Sequence, residues 1–191
     1  MTTNAEGHFL LPKDPVHALV AYLIKKYKEV SNMTLGRIIL QKLCYFAKAS
    51  GVPLPFRFEI YHYGPFSQEV FEVTDSLMVD LVVIDRTQHE AQSDYSPGPN
   101  CESLLGAFKG PLSKYTSMLD NVAVTFSKLD PSQMELVSTI HYVHSSYQDW
   151  YRKAANKEDV VGLVSAIKQG KFDTDLVSRA YDILLDAGLL R

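Results

Sequence analysis

The sequence predicts a mainly α-helical protein with a small antiparallel β-sheet, an α+β fold. Most of the 191 residues fall into segments in which apolar side chains recur every three or four positions, the period of an amphipathic helix. Strand-like segments are confined to the part of the chain before residue 100. The predicted architecture is a winged-helix-like lobe over residues 1–99 packed on a helical lobe over residues 100–191, with a single compact domain as the alternative.

The composition is that of a folded protein, with 46% hydrophobic and 21% charged residues, so extensive disorder is not expected. No apolar run approaches the roughly 18–20 residues that span a bilayer, and the N-terminus lacks the pattern of a secretory signal. Cys44 and Cys101 lie in unrelated contexts, which favours neither a disulfide nor a zinc framework. We therefore expect a cytoplasmic protein with no membrane partner.

The first lobe begins with a helix at Asp14-Pro15, where a capping side chain precedes a proline. Thr34 is predicted to cap a second, central helix that runs to about residue 50. Alternation over residues 56–63 predicts a strand, with His62 on its inward face. Gly64-Pro65 is predicted to form a turn, and Ser67 to cap a helix that ends near residue 80 with an acidic outer face.

A short apolar strand at 81–84 and a hairpin or wing at 85–99 complete the first lobe. The second lobe is predicted to be helical throughout. One of its helices is predicted to start at Asp130-Pro131 and to run through Tyr147, and a polar aromatic loop is predicted at residues 148–151. Asn156 and Asp173 are predicted to cap the last two helices.

Charge is distributed unevenly along the chain. Residues 1–60 hold eight lysines and arginines against four acids, whereas residues 66–106 hold eight acids against Arg86 alone. A DNA-binding face must be positive, so it could come only from the first two helices. Solvated helix faces are the ordinary explanation of both charge clusters.

One alternative is a winged-helix DNA-binding regulator. Arg37, Gln41, Cys44 and Lys48 follow one line of the central helix, and arginine and glutamine on an exposed helical line can read bases in the major groove. Lys25 and Lys28 on the first helix would add phosphate contacts.

A surface for a protein partner is the alternative that we favour. Tyr61 and Tyr63 fall on the outward face of the predicted strand, and Phe66 follows directly. Tyrosine rings combine apolar area with a polar tip, which suits an interface. Glu69 and Glu72 on the next helix would attract a basic partner.

No catalytic motif is present, so the sequence predicts neither an enzyme nor a cofactor. His141 and His144 lie three apart on one helix, a spacing that can chelate a metal, but no third ligand is evident and no metal site is predicted.

Two stretches carry a family resemblance: LQKLCYFA at residues 40–47 and FEIYHYGPFS at residues 58–67. At these stretches the chain resembles the YwgA-like group of uncharacterised bacterial and phage-associated proteins. It is similar, more remotely, to the SocA/Panacea domain. The resemblance implies a compact, mainly helical domain. In the Panacea branch it implies an antitoxin that binds and neutralises a partner protein, or an adaptor that presents the partner to a protease.

Overall fold

The computed structural model describes residues 9–87 and 93–190. Within these ranges the α-helices are α1 (Pro15–Val30), α2 (Arg37–Ala49), α3 (Gln68–Val79), α4 (Cys101–Ala107), α5 (Lys109–Ser113), α6 (Thr116–Thr125), α7 (Pro131–Tyr151), α8 (Lys157–Lys168) and α9 (Thr174–Asp186). The strands are β1 (Glu59–Tyr61), β2 (Gly64–Phe66), β3 (Val83–Asp85) and β4 (Tyr95–Pro97). The predicted class, mainly helical with a small antiparallel β-component, is confirmed.

The chain forms two compact units. Unit 1 comprises Met1–Arg57 and Ser67–Asp130, and unit 2 comprises Phe58–Phe66 and Pro131–Arg191. The packing therefore divides the chain differently from the predicted lobes at 1–99 and 100–191. Helices α4–α6 pack with the N-terminal helices, while the β1–β2 hairpin belongs to the C-terminal helices. Among the described helices, none is both long and apolar enough to cross a membrane.

The winged-helix detail of the prediction is not confirmed. Strands β1 and β2 form one antiparallel pair and β3 and β4 form another, so the described strands make two separate sheets. The predicted wing at 85–99 corresponds in part to the β3–β4 pair, in which Asp85 lies opposite Tyr95. Residues 88–92 of that wing lie outside the described residues.

Unit 1 is built around α1 and α2. The predicted inward residues of α1 are all buried, namely Leu19, Val20, Leu23, Ile24 and Tyr27. Asp14 caps this helix as predicted, since its carboxylate accepts hydrogen bonds from the backbone N–H groups of Val16 and His17. The next helix is buried over a continuous run from Ile39 to Ala47, which confirms that α2 is central to its unit.

Of the other two predicted helix caps in unit 1, Thr34 is wrong, and Ser67 is confirmed in position but not in its hydrogen bond. Helix α2 begins at Arg37, with Gly36 rather than Thr34 in the capping position. Ser67 does occupy the capping position of α3 but accepts no backbone hydrogen bond there. Its hydroxyl donates instead to Glu69 Oε2 at 2.5 Å, because a serine beside a first-turn carboxylate has a charged acceptor within reach.

Asp80, which directly follows the acidic helix α3, is buried. Its carboxylate accepts hydrogen bonds from Lys13 Nζ at 2.6 Å and from the backbone N–H groups of Leu10 and Leu11. Burial alone would raise the pKa of Asp80, but these donors lower it overall. The carboxylate thus holds the segment before α1 against the end of α3, a long-range contact that periodicity does not reveal.

Unit 2 has its own core, formed by the inward faces of its three helices. Its buried residues include Ile140 and Val143 of α7, Val160 and Val164 of α8, and Leu184 of α9. The predicted caps at Asn156 and Asp173 are confirmed by side-chain acceptance from Asp159 N and Asp175 N. The predicted loop at 148–151 is wrong, because α7 continues through Tyr151.

The hairpin of unit 2 differs from its prediction in both strands. Only residues 59–61 of the predicted strand pair, and Gly64–Phe66, predicted as a turn, is the return strand. The turn lies at His62 and Tyr63, so His62 is exposed rather than inward. Gly64 has φ +88°, and a Cβ there would lie 2.8 Å from Thr139 Oγ1 of α7. A glycine therefore permits both the turn and the close approach to the helix.

Replacing Gly64 by alanine should destabilise unit 2 more than replacing Gly170 by alanine. Both glycines have positive φ, but a Cβ at Gly170 meets no atom within 4 Å. Gly170→Ala should cost about 1 kcal/mol from backbone strain alone, and Gly64→Ala at least about 2 kcal/mol because the clash adds to it. Urea unfolding of both variants measures the difference, and equal losses would contradict the close approach of the hairpin to α7.

Candidate functional site

The β1–β2 hairpin presents two tyrosines to solvent. The side chain of Tyr61 is 62% exposed and that of Tyr63 is 55% exposed. Phe66 is half-buried, and its ring lies 5.8 Å from the ring of Tyr61. The three aromatic residues predicted to bind a partner therefore lie on one hairpin of unit 2. The exposed rings leave apolar surface uncovered, which is typical of a contact surface.

Side chains from the helices of unit 2 fix the backbone of this hairpin. Lys168 Nζ, at the end of α8, donates a hydrogen bond to the carbonyl of His62 at 3.0 Å. The Tyr142 hydroxyl of α7 donates to the carbonyl of Phe58 at 3.1 Å. Both acceptors are backbone atoms, one in the turn and one just before β1. An isolated hairpin with three-residue strands is only marginally stable. These two hydrogen bonds therefore restrain backbone segments that the hydrogen bonds between β1 and β2 do not hold.

A buried carboxylate positions the lysine that holds the turn. Glu135 of α7 forms ion pairs with Lys168 Nζ at 2.9 Å and Lys171 Nζ at 2.7 Å. The side chains of Glu135 and Lys168 are each 2% exposed, whereas that of Lys171 is 42% exposed. Lys171 Nζ also lies 5.0 Å from the ring centroid of Tyr63, within the range of a cation–π interaction. The cluster thus joins α7, α8 and the exposed tyrosines.

A cavity of about 370 Å³ adjoins the hairpin. Its wall is formed on one side by Ile60, Tyr61 and His62, and on the other by the end of α8 and the turn that follows it. In that turn Gln169 has φ +50°, so the backbone leaves the helix in a left-handed conformation. The cavity is therefore bounded by the two segments that the Glu135 cluster holds together.

The two acids predicted to join the tyrosines belong to unit 1. Glu69 is engaged within its unit, since the Ser67 hydroxyl donates to it and thereby lowers its pKa. Glu72 is exposed on α3. The predicted partner-binding set is therefore divided, with its aromatic members in unit 2 and its acidic members in unit 1.

The line of residues predicted to read DNA is not exposed as a whole. The Gln41 amide is buried, where it donates to the Ser67 carbonyl at 2.9 Å and accepts from Ser67 N at 3.0 Å. Cys44 is fully buried, and burial raises the pKa of its thiol to about 12, which excludes a reactive thiolate near neutral pH. A side chain on an apolar helix can lie inward when its polar atoms find partners, which helical spacing alone does not show.

The predicted cationic residues of unit 1 differ in their surroundings. Arg37 is exposed, with its guanidinium 5.7 Å from the ring centroid of Phe71. Lys48 Nζ donates to the Phe56 carbonyl. Lys25 and Lys28 are ion-paired, the former with Glu102 at 2.6 Å and the latter with Asp94 at 3.0 Å. The hydrogen bond from Lys25 to Glu102 raises the pKa of that lysine.

The two histidines considered as metal ligands have local partners. His144 Nδ1 lies 3.1 Å from the Tyr181 hydroxyl, and His141 Nδ1 lies 3.4 Å from Ser145 Oγ. No group of three or more histidine, cysteine, aspartate or glutamate side chains suited to a metal ion occurs within residues 9–87 and 93–190.

The residues that hold the hairpin carried a weak signal in the sequence. Glu135 is a single acid between Met134 and Leu136, both of which are buried. Lys168 follows Val161 and Val164 by seven and four positions, so helical periodicity places it on the inward face of α8. A buried acid and a buried lysine on different helices favour an ion pair, but nothing local to either residue identifies its partner.

No family model matches the chain, and no curated protein matches it. The relationship to the YwgA-like group and to the SocA/Panacea domain stays a prediction. Function is therefore inferred from the hairpin of unit 2 and from the charged cluster that holds it.

Replacing Glu135 by glutamine should lower the free energy of unfolding by about 3–5 kcal/mol, because it leaves Lys168 buried without a compensating charge. The matched control is Glu29→Gln, which removes a partially exposed pair with Lys26 at 3.4 Å and should cost about 0.5 kcal/mol or less. Chemical denaturation measures both changes. A loss for Glu135→Gln as small as that of the control would show that the cluster does not hold unit 2.

Acid should destabilise the protein through His141 before its carboxylates are protonated. Burial, reinforced by the neighbouring His144, lowers the pKa of His141 to about 4, whereas an unfolded histidine titrates near about 6.5. Between these two pKa values the unfolded chain binds a proton at His141 and the folded chain does not. The free energy of unfolding should therefore fall by about 1–2 kcal/mol as the pH is lowered from 6.5 to 4.5.

Stability measured across this pH range tests the assignment. His141→Gln should make the free energy of unfolding depend less on pH. His62→Gln, which changes an exposed ring, should leave that dependence unchanged. Carboxylates whose pKa is lowered, such as Asp80 and Glu69, lose their contribution only at lower pH. The same slope in both variants would contradict the assignment to His141.

Proposed function

We propose that this protein is a cytoplasmic protein-binding module whose contact surface is formed by Tyr61 and Tyr63. The observation that carries the proposal is the combination of two exposed aromatic rings with a backbone that is fixed from beneath. Lys168 and Tyr142 hold the carbonyls of His62 and Phe58, while both tyrosines remain more than half exposed. Exposed aromatic area on a restrained segment favours recognition over a purely structural role.

Restraint matters because association costs conformational entropy. Ordering a free loop on binding subtracts from affinity, so a hairpin already held in one conformation pays less of this cost. Tyrosine has few rotatable bonds and a large apolar face, and it is among the residues that most often dominate the energy of an interface. Two such side chains on a single turn could supply most of the affinity for a partner.

The resemblance to the Panacea branch specifies the kind of partner that we propose. An antitoxin or a protease adaptor binds another protein without chemistry of its own, which agrees with a surface that offers rings and ammonium groups. The exposed Glu72 of α3 would suit a basic segment of a toxin. The described contacts do not favour the DNA-binding alternative, because Gln41 is buried and Lys25 and Lys28 are ion-paired.

The double substitution Tyr61→Ala/Tyr63→Ala should weaken binding of the partner by about 100-fold or more, since hot-spot residues each contribute about 2 kcal/mol or more. The partner is first recovered from a nuclease-treated lysate of the native host and identified by mass spectrometry. It is then purified and titrated calorimetrically against both forms of the protein.

The matched control is Ile183→Ala/Leu185→Ala, which removes two exposed apolar side chains of α9. This variant should bind with the affinity of the unchanged protein. Thermal unfolding confirms that both variants are folded. Equal affinities for the hairpin variant and the unchanged protein would remove the hairpin from the interface. Growth arrest by the partner alone, relieved by co-expression, would identify an antitoxin.

A further inference from the structure

The cavity beside the hairpin carries positive charge. It is lined by the hairpin residues and by Ile167, Lys168 and Lys171, and no acidic side chain is among the described residues of its wall. Glu135, which pairs with both lysines, does not line it. The cavity therefore has two cationic residues and no acidic residue in its described wall.

The charges of this cluster do not cancel. Two ammonium groups share a single carboxylate, which leaves one positive charge in excess. An ammonium group has three N–H donors. Lys168 directs one to the His62 carbonyl and pairs with Glu135 Oε1, and Lys171 donates to Glu135 Oε2. Lys168 is 2% exposed and held by both partners, whereas Lys171 is 42% exposed and, among the described contacts, has donors left for a further acceptor. The helix C-terminus at Lys168 offsets part of the charge, but the half-exposed Lys171 lies beyond that turn.

We propose that this cavity binds the carboxylate of an acidic side chain in a peptide segment of the protein partner. The inference rests on the proposed function and names the chemistry that the hairpin surface selects. The carboxylate accepts hydrogen bonds from Lys171, while the flanking residues of the segment contact Ile60, Ile167 and the ring of Tyr61. The partner segment that meets the hairpin is acidic, in contrast to a basic segment that would suit α3.

Size and charge both favour a carboxylate over a phosphate. An excess of one positive charge matches a monoanion, whereas a phosphate monoester carries about −1.5 to −2 near neutral pH. The volume of about 370 Å³ is near the lower end of the range of about 300–1,000 Å³ for ligand sites, which suits one or two amino-acid side chains. The two isoleucines provide apolar contacts that an acidic residue with apolar neighbours would use.

The test is a titration of the isotopically labelled full chain with two peptides, followed by NMR. Acetyl-Leu-Glu-Leu-amide should shift the amide signals of His62, Gln169 and Lys171 in a saturable manner. Acetyl-Leu-Gln-Leu-amide has the same shape without the charge and should bind at least about fivefold more weakly, because hydrogen bonds between ionised groups are the stronger class. Equal binding of the two peptides overturns the proposal.

Lys171→Met preserves the aliphatic stem but removes the ammonium group. It should lower the affinity for the glutamate peptide by about fivefold or more. The control is Lys157→Met on α8, which removes an ammonium group that pairs with Asp182 at 2.6 Å. This variant should bind the glutamate peptide with unchanged affinity. Unchanged affinity in Lys171→Met overturns the site. A third peptide, acetyl-Leu-Gln-Leu with a free C-terminal carboxylate, overturns the assignment to a side chain if it binds more tightly than the glutamate peptide.

The peptide titration can fail independently of the proposed function. Loss of partner binding in the tyrosine variant, together with peptides that do not bind, would preserve the hairpin interface and remove the carboxylate site. Peptide binding that depends on Lys171, together with unchanged partner affinity in the tyrosine variant, would instead remove the hairpin interface.

Discussion

The conformation of the β1–β2 hairpin depends on one buried carboxylate. Glu135 is almost completely buried and pairs with Lys168, which in turn holds the His62 carbonyl at the hairpin turn. Desolvation of a carboxylate and an ammonium group offsets most of the Coulombic gain between them. The cluster therefore contributes less to net stability than to position. Removal of one member is costly because the charge left behind has no partner.

The hairpin can expose its aromatic rings because its backbone is supported elsewhere. Strands of three residues provide few hydrogen bonds of their own, and an isolated two-stranded hairpin is at best marginally stable in water. Glycine at position 64 lets the return strand approach α7 closely, and Tyr142 holds the residue before β1. Because packing and polar contacts on the inner side support the hairpin, Tyr61 and Tyr63 can remain more than half exposed.

Helical segments could be predicted because their signals are local. The period of the apolar residues of α1 is visible within the helix itself, and the capping side chains of Asp14 and Asn156 lie within one turn of the backbone groups that they contact. The central position of α2 could also be predicted, because apolar residues cover a broad face of this helix. The burial of Gln41 and Asp80 could not be predicted in this way, since their partners lie 26 and about 70 positions away along the chain.

The predicted partner-binding residues are divided between the two units for the same physical reason, and this division alters the charge that we expect on a partner. The acids of residues 66–106 suggested a basic partner because they follow the tyrosines in sequence. In unit 2, however, the charged neighbours of the hairpin come from α8 and the turn after it, and Lys168 reaches His62 across 106 positions. Local charge along the chain therefore indicated one sign, while the folded surroundings of Tyr63 include the ammonium group of Lys171. Electrostatic complementarity acts through space, so in the proposed interface the lysines, rather than the acids of α3, set the charge that a partner would bring to the tyrosines.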